Sequence, residues 1–209
     1  YNLGIFEAGI SQTDEMKNLA EIILPDIGIL INIGDAHQKN FQSIQQKIDE
    51  KLLLFKKCKR IVFRVDDELL TKTAIDFCNT NSVEQFSWSL QGKKAPIQFS
   101  TQNSSNYSEI SASYKGNTNH FTIPFTDNSA IENACHCWAT MLYMGYGNDI
   151  IKQRMLGLNP VAMRLELKEG VNNCTIINDS YNSDYNSFVI ALDFMNQQNQ
   201  HRDRVRACR

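Results

Sequence analysis

The chain has 209 residues, of which 42% are hydrophobic and 10% aromatic, enough for one large packed domain or for one domain and part of a second. Charged residues make up 21% and the formal net charge is −2, so the clustered basic face that nucleic acid requires is missing. No apolar run reaches the roughly 18 residues of a membrane span, and YNLGIFEAG carries neither a basic leader nor a cleavage-site pattern, which together predict a cytoplasmic protein.

The first residue is not Met and falls almost inside a strand pattern, as expected of a boundary within a longer protein. NLGIFEA reads as a short apolar strand. Asp14 caps a helix through about Leu24, and Pro25 breaks it. GILINI is a second strand, followed by a helix over about 40–55. RIVFRV is a third strand, Asp66 starts a helix to about Phe77, and EQFSWS is a fourth strand. Apolar strands separated by helices of this length predict an α/β fold, a mostly parallel sheet with helices on both faces. Over 95–125 the pattern changes: IQFST, YSEISASY and HFTIPF alternate and are separated by turns at SSN and KGN, predicting an antiparallel insertion at one end of that sheet. Asp127 or Asn128 then caps a helix with Ile131, Ala134, Trp138, Leu142 and Gly145 on one stripe, ended by the GYG turn. A further helix covers about 149–157. After Asn159-Pro160 the pattern restarts, with RLELKEG and CTIIND as a hairpin and a helix over about 187–197. That restart predicts two units, 1–159 and 160–209, the second being the start of another α/β domain. The terminal HRDRVRACR has no apolar periodicity and is expected to dangle.

The cysteines, at 58, 78, 135, 137, 174 and 208, show no framework spacing and read as reduced thiols. Cys135-His136-Cys137 resembles a metal cluster, but it sits in a helical pattern where adjacent residues face different ways, so these are read as packed helix residues.

Open parallel sheets bind ligands beyond the carboxyl ends of their strands. Glu7 ends the first strand pattern, and His37 follows the second in GDAH. A carboxylate and an imidazole in one crevice suit a divalent metal bridging phosphate oxygens. The plain alternatives are a surface or capping carboxylate and a loop histidine bonded to backbone, and position alone leaves both open. Lys51 lies against the stripe of Phe41, Ile44, Ile48, Leu52 and Phe55. A partly desolvated amine loses proton affinity and becomes reactive, although most such lysines snorkel to water.

Five segments, in order, resemble the Mur ligases. EAGISQTDEM is similar to their E-(L/M)-G-A-N-x-x-G-E-(I/M) segment. GDAHQKNFQSIQQKIDEKLLLF is similar to A-H-L-E-x-F-G-S-x-x-x-I-A-x-A-K-x-E-(I/L), with His37, Phe41, Ser43 and Lys51 in register. SAIENACHCWATMLYMG resembles the H-N-x-x-N helix, placing Asn133 on its second Asn. PVAMRLELKEG and INDSYNSDYNS resemble the P-x-x-G-R-x-E and D-D-S-Y-N-A-N-P-x-S pair. The resemblance runs from residue 5 to about 195. It implies a central ATP-binding domain resembling P-loop NTPases, with ATP as cosubstrate and Mg2+ held by Glu7 and His37. It further implies a carbamylated Lys51 that helps set the metal, with His37 and Lys51 as the catalytic pair. Asn133 would read the adenine edge, while Arg164 and Asp179 would contact ribose and phosphates. The S-Y-N form and the E-x-G segment are most like members that join D-alanyl-D-alanine to a UDP-N-acetylmuramoyl-tripeptide in peptidoglycan synthesis.

Ser129 and Ala130 replace the H-N pair, Met163 replaces a Gly, Ser183-Asp184-Tyr185 replaces A-N-P, and Asn178 stands where many relatives have Asp. No G-x-x-G-K-(T/S) loop occurs; Gly92-Lys93-Lys94 lies in a turn with the wrong surroundings. The family carries that loop just upstream of the segment that opens this chain, which implies a longer parent protein and a fragment inactive alone. Two other readings stay open: a ligase of another amino acid, as in folylpolyglutamate synthases, and a non-catalytic nucleotide-binding module.

Overall fold

A computed structural model describes residues 2–34, 38–104, 106–159, 161, 164–181 and 185–197. Its frame is a six-stranded sheet of β1 (Ile27–Leu30), β2 (Arg60–Arg64), β3 (Glu84–Ser89), β4 (Ile97–Asn103), β5 (Ser108–Tyr114) and β6 (Asn117–Ile123), in that spatial order. The first four strands run parallel, and β5 and β6 are antiparallel. Residues of β2 alternate between the two faces. Ile61 and Phe63 point to a core shared with α1 (Glu15–Ile23), α2 (Ile44–Leu52) and α3 (Glu68–Asn81). Val62 points to the opposite core, shared with α4 (Asn128–Tyr143) and α5 (Asn148–Leu156). Burial on both sides explains why this strand reads as an unbroken apolar run. The expected α/β architecture is the one observed.

Local chemistry sets the element ends. Ser43, Asp67 and Asp127 each accept a backbone N–H from three residues on, capping α2, α3 and α4. At the β5–β6 hairpin Lys115 and Gly116 both take positive φ, the two-residue turn that matches strand twist. In β1, Gly28 is required by close approach: a Cβ there would lie 2.5 Å from Cδ1 of Phe55.

Three expectations change. NLGIFEA forms no strand; Ile5 and Phe6 are 87% and 67% exposed. An apolar run becomes a strand only when a neighbour supplies its ladder, and nothing among the described residues pairs with it or with the outer edge of β1. The β-rich insertion lies at one end of the strand order, as expected, but it is not antiparallel throughout. It widens the sheet sideways, because β4 pairs with β3 through Trp88↔Ile97 and Ser89↔Gln98. Finally, α3 is capped by Asp67, leaving Asp66 free to bind the turn after β3.

Beyond the six-stranded sheet, β7 (Glu166–Glu169) and β8 (Thr175–Asn178) form a separate antiparallel pair, followed by α6 (Tyr185–Gln197). The HRDRVRACR tail lies outside the described residues, as do Pro160, Met163 and, of the Ser183-Asp184-Tyr185 replacement, Ser183 and Asp184. No described helix is long and apolar enough to cross a membrane.

Candidate functional site at the carboxyl edge of the sheet

Helix α2 gathers the segments that bear the sequence-derived metal residues. The Asn40 side-chain amide donates to the Ser11 carbonyl at 2.8 Å, joining the turn after the GDAH loop to the segment after Glu7. The Met16 N–H donates to Glu50 at 3.3 Å. Lys47 Nζ donates to the Gly34 carbonyl at 2.5 Å, fastening the start of the GDAH loop to α2. Lys47 and Glu50 are both buried. Sequence reasoning passed them over, although in the family pattern their positions are Ile and Ala. A charge at an expected aliphatic position was the available signal.

Lys51 is half-buried one turn beyond Lys47, on the same side of α2. Burial lowers its proton affinity, and the Lys47 charge lowers it further. Glu7 lies exposed in the irregular segment before Ile10, which is buried in the core. His37 lies outside the described residues. Among the described residues no group of three or more His, Cys, Asp or Glu is placed to hold a metal. In the helical run at 135–137 two residues pack as expected and Cys137 is exposed: Cys135 and His136 are buried, and the Trp88 indole N–H donates to His136 Nδ1 at 3.3 Å.

A crevice of about 310 Å³ opens where the carboxyl ends of β1, β2 and β3 meet α4; Asn32, Arg64, Asp66, Gln91 and Glu132 contribute its polar wall. This is where an open parallel sheet binds ligands. Asn133 is exposed on α4, next in sequence to Glu132.

At the β7–β8 hairpin the chain brings Arg164 and Asp179 close. The Leu165 N–H donates to Asp179 Oδ1 at 3.1 Å, and the Arg164 guanidinium lies 4.3 Å from the Tyr181 ring centre. Asn178 donates to Glu166 at 3.1 Å and accepts from Ser180 at 2.8 Å. An Asp at 178 would set a second carboxylate against Glu166, so the amide suits this neighbour.

A mostly parallel sheet clad on both faces, with a polar crevice at its strand ends, defines an α/β domain. The family model described as the Mur ligase middle domain matches residues 1–141, and the chain belongs to that family. It is 26% identical over 193 residues to a UDP-N-acetylmuramoyl-tripeptide–D-alanyl-D-alanine ligase of Bacillus subtilis (strain 168), a match covering 91% of this chain and 40% of the relative. In fold it resembles the crystal structure of MurF from Acinetobacter baumannii, with a TM-score of 0.80 at 17% identity, covering 91% of this chain and 42% of that one. It also resembles a MurF ligase of Thermotoga maritima in complex with ADP, with a TM-score of 0.74 at 17% identity, covering 90% of this chain and 43% of that one. The chain thus spans about two fifths of the length of the relatives it matches.

Proposed function

We propose that this chain is the ATP-handling part of an ATP-dependent amide ligase that adds D-alanyl-D-alanine to a UDP-N-acetylmuramoyl-tripeptide in the cytoplasm. The observation that carries this reading is the family match over residues 1–141, together with a relative of that activity aligned along 91% of the chain. On this reading residues 1–159 form the central domain, and residues 160–209 begin the C-terminal ligase domain.

A carboxylate oxygen of the tripeptide attacks the γ-phosphorus of ATP, and ADP leaves. The amine of the dipeptide then attacks the acyl carbon, phosphate leaves, and the amine proton is lost. Such chemistry rests on positioning and on charge neutralisation. Asn133 binds the adenine edge, where one amide both donates and accepts. Arg164 and Asp179, already adjacent across the hairpin, take the ribose and phosphates. The lowered proton affinity of Lys51 favours the uncharged amine, the form that adds to carbon dioxide and loses a proton to give a carbamate. Glu7, His37 and carbamylated Lys51 would hold Mg2+, which when bound supplies positive charge against the phosphate oxygens.

The test uses the intact protein with ATP, Mg2+, UDP-N-acetylmuramoyl-tripeptide and D-alanyl-D-alanine, omitting one component at a time. Phosphate release should require both peptide substrates. Release that continues at full rate without the dipeptide, or that needs glutamate and a folate in its place, overturns the reading.

A further inference from the structure

We propose that Arg64 is a positioning residue for the nucleotide end of the site: it fixes the rotational setting of α4 that presents Asn133 beside the crevice. This inference rests on the reading of Asn133 given above. Arg64 is the last residue of β2, and its guanidinium bridges two carboxylates from different parts of the fold. Nε donates to Asp66 Oδ2 at 2.5 Å, and Nη1 donates to Glu132 Oε2 at 2.9 Å. The Asp66 side chain is only 2% exposed and has no freedom to follow Arg64. It also accepts from the Ser89 hydroxyl at 2.5 Å, the Leu90 N–H at 2.9 Å and the Gln91 N–H at 3.4 Å, so it is pinned to the turn after β3. The sheet edge is therefore the rigid side of the bridge, and α4 is the side being held.

Glu132 and His136 are one helical turn apart and share a face of α4. Each makes one polar contact with the sheet, Glu132 to Arg64 and His136 to the Trp88 indole. The Arg64 guanidinium lies 5.7 Å from the Trp88 ring centre, which joins the two contacts into one network. Two contacts a turn apart resist rotation of a helix about its axis; one contact does not. The apolar stripe of Ile131, Ala134, Cys135 and Trp138 packs α4 against the core, but side chains of that kind tolerate small rotations by repacking. Asn133 follows Glu132 directly, so rotation about the axis moves its amide relative to the crevice. Only a planar guanidinium offers two fixed donor directions to two carboxylates; an ammonium is a single point charge on a flexible stem.

The experiment uses the intact protein and reads the KM for ATP, kcat, the preference for ATP over GTP, and thermal stability. Arg64→Lys keeps the charge beside Asp66 but loses the fork, and Glu132→Gln keeps the shape but weakens the bridge. Each should raise the ATP KM about tenfold, leave kcat within about twofold and reduce the ATP-over-GTP preference. Combined with Asn133→Ala, neither should raise the ATP KM beyond the value of Asn133→Ala alone. If Asn133→Ala weakens ATP but Arg64→Lys and Glu132→Gln do not, or if their effects add to it in full, the positioning role is overturned while the reading of Asn133 stands. If Asn133→Ala leaves ATP binding unchanged, the reading of Asn133 and the role built on it fall together.

Discussion

Burial gives His136 an electrostatic signature that can be measured. Its Nδ1 accepts the Trp88 indole N–H, so the neutral ring carries its proton on Nε2, which has no hydrogen-bond partner among the described residues. Burial first, and the Arg64 charge second, pull its pKa from 6.5 down to about 3. Because the folded value is the lower one, the unfolded chain takes up the proton more readily. The stability held by the neutral ring is complete above pH 6.5 and is lost as the pH falls from there towards 3. The greatest slope from one such group is about 1.4 kcal/mol per pH unit. In urea melts, wild-type protein should lose more stability between about pH 7 and about pH 5 than His136→Gln, whose side-chain oxygen still accepts from Trp88. Equal losses in the two proteins would show that His136 titrates normally in the fold. Lys47 and Glu50 teach a related lesson. Their charges mark them as surface residues by type, yet both are buried on α2 because Lys47 bonds the Gly34 carbonyl and Glu50 the Met16 N–H.

At the scale of elements, close packing between β1 and the turn after α2 depends on a missing side chain. Phe55 lies over Gly28, and an added methyl would stand 2.5 Å from its ring. Phe55 is itself buried, so it has little room to retreat. Gly28→Ala should destabilise the domain by about 1–3 kcal/mol through overpacking, read as a lower urea midpoint with an unchanged slope. A neutral result would mean that the ring moves freely. The helix cap at Asp127 was legible because a cap is a local event, set by residues three apart. The cap of α3 was misplaced by one residue. Asp66 and Asp67 are equivalent by sequence, and only the approach of the turn after β3 decides which carboxylate turns outward to Ser89, Leu90 and Gln91.

Considered as a whole molecule, on the proposed reading the chain supplies one wall of a phosphoryl-transfer site. The crevice, Asn133 and Lys51 lie on a sheet-and-helix frame with two apolar cores, yet the 209 residues contain no G-x-x-G-K-(T/S) loop to cradle the β- and γ-phosphates. Each clamp missing from a preorganised site lowers the rate by factors on the order of hundreds. The isolated chain should therefore fold but release phosphate far more slowly than the intact enzyme, in a side-by-side assay with ATP, Mg2+ and both peptide substrates. Turnover within about tenfold of the intact enzyme would place the phosphate site within these residues. The sequence by itself determined the order of strands and helices from α1 onward and the family, because periodicity, caps and motifs are all written in neighbouring residues. Tertiary structure alone decided that NLGIFEA stays irregular, that β4 continues the parallel sheet, and that Arg64 finds Glu132 across 68 positions of chain. A ladder partner and a counter-charge are both supplied by whatever packs alongside, and local spacing carries no record of it.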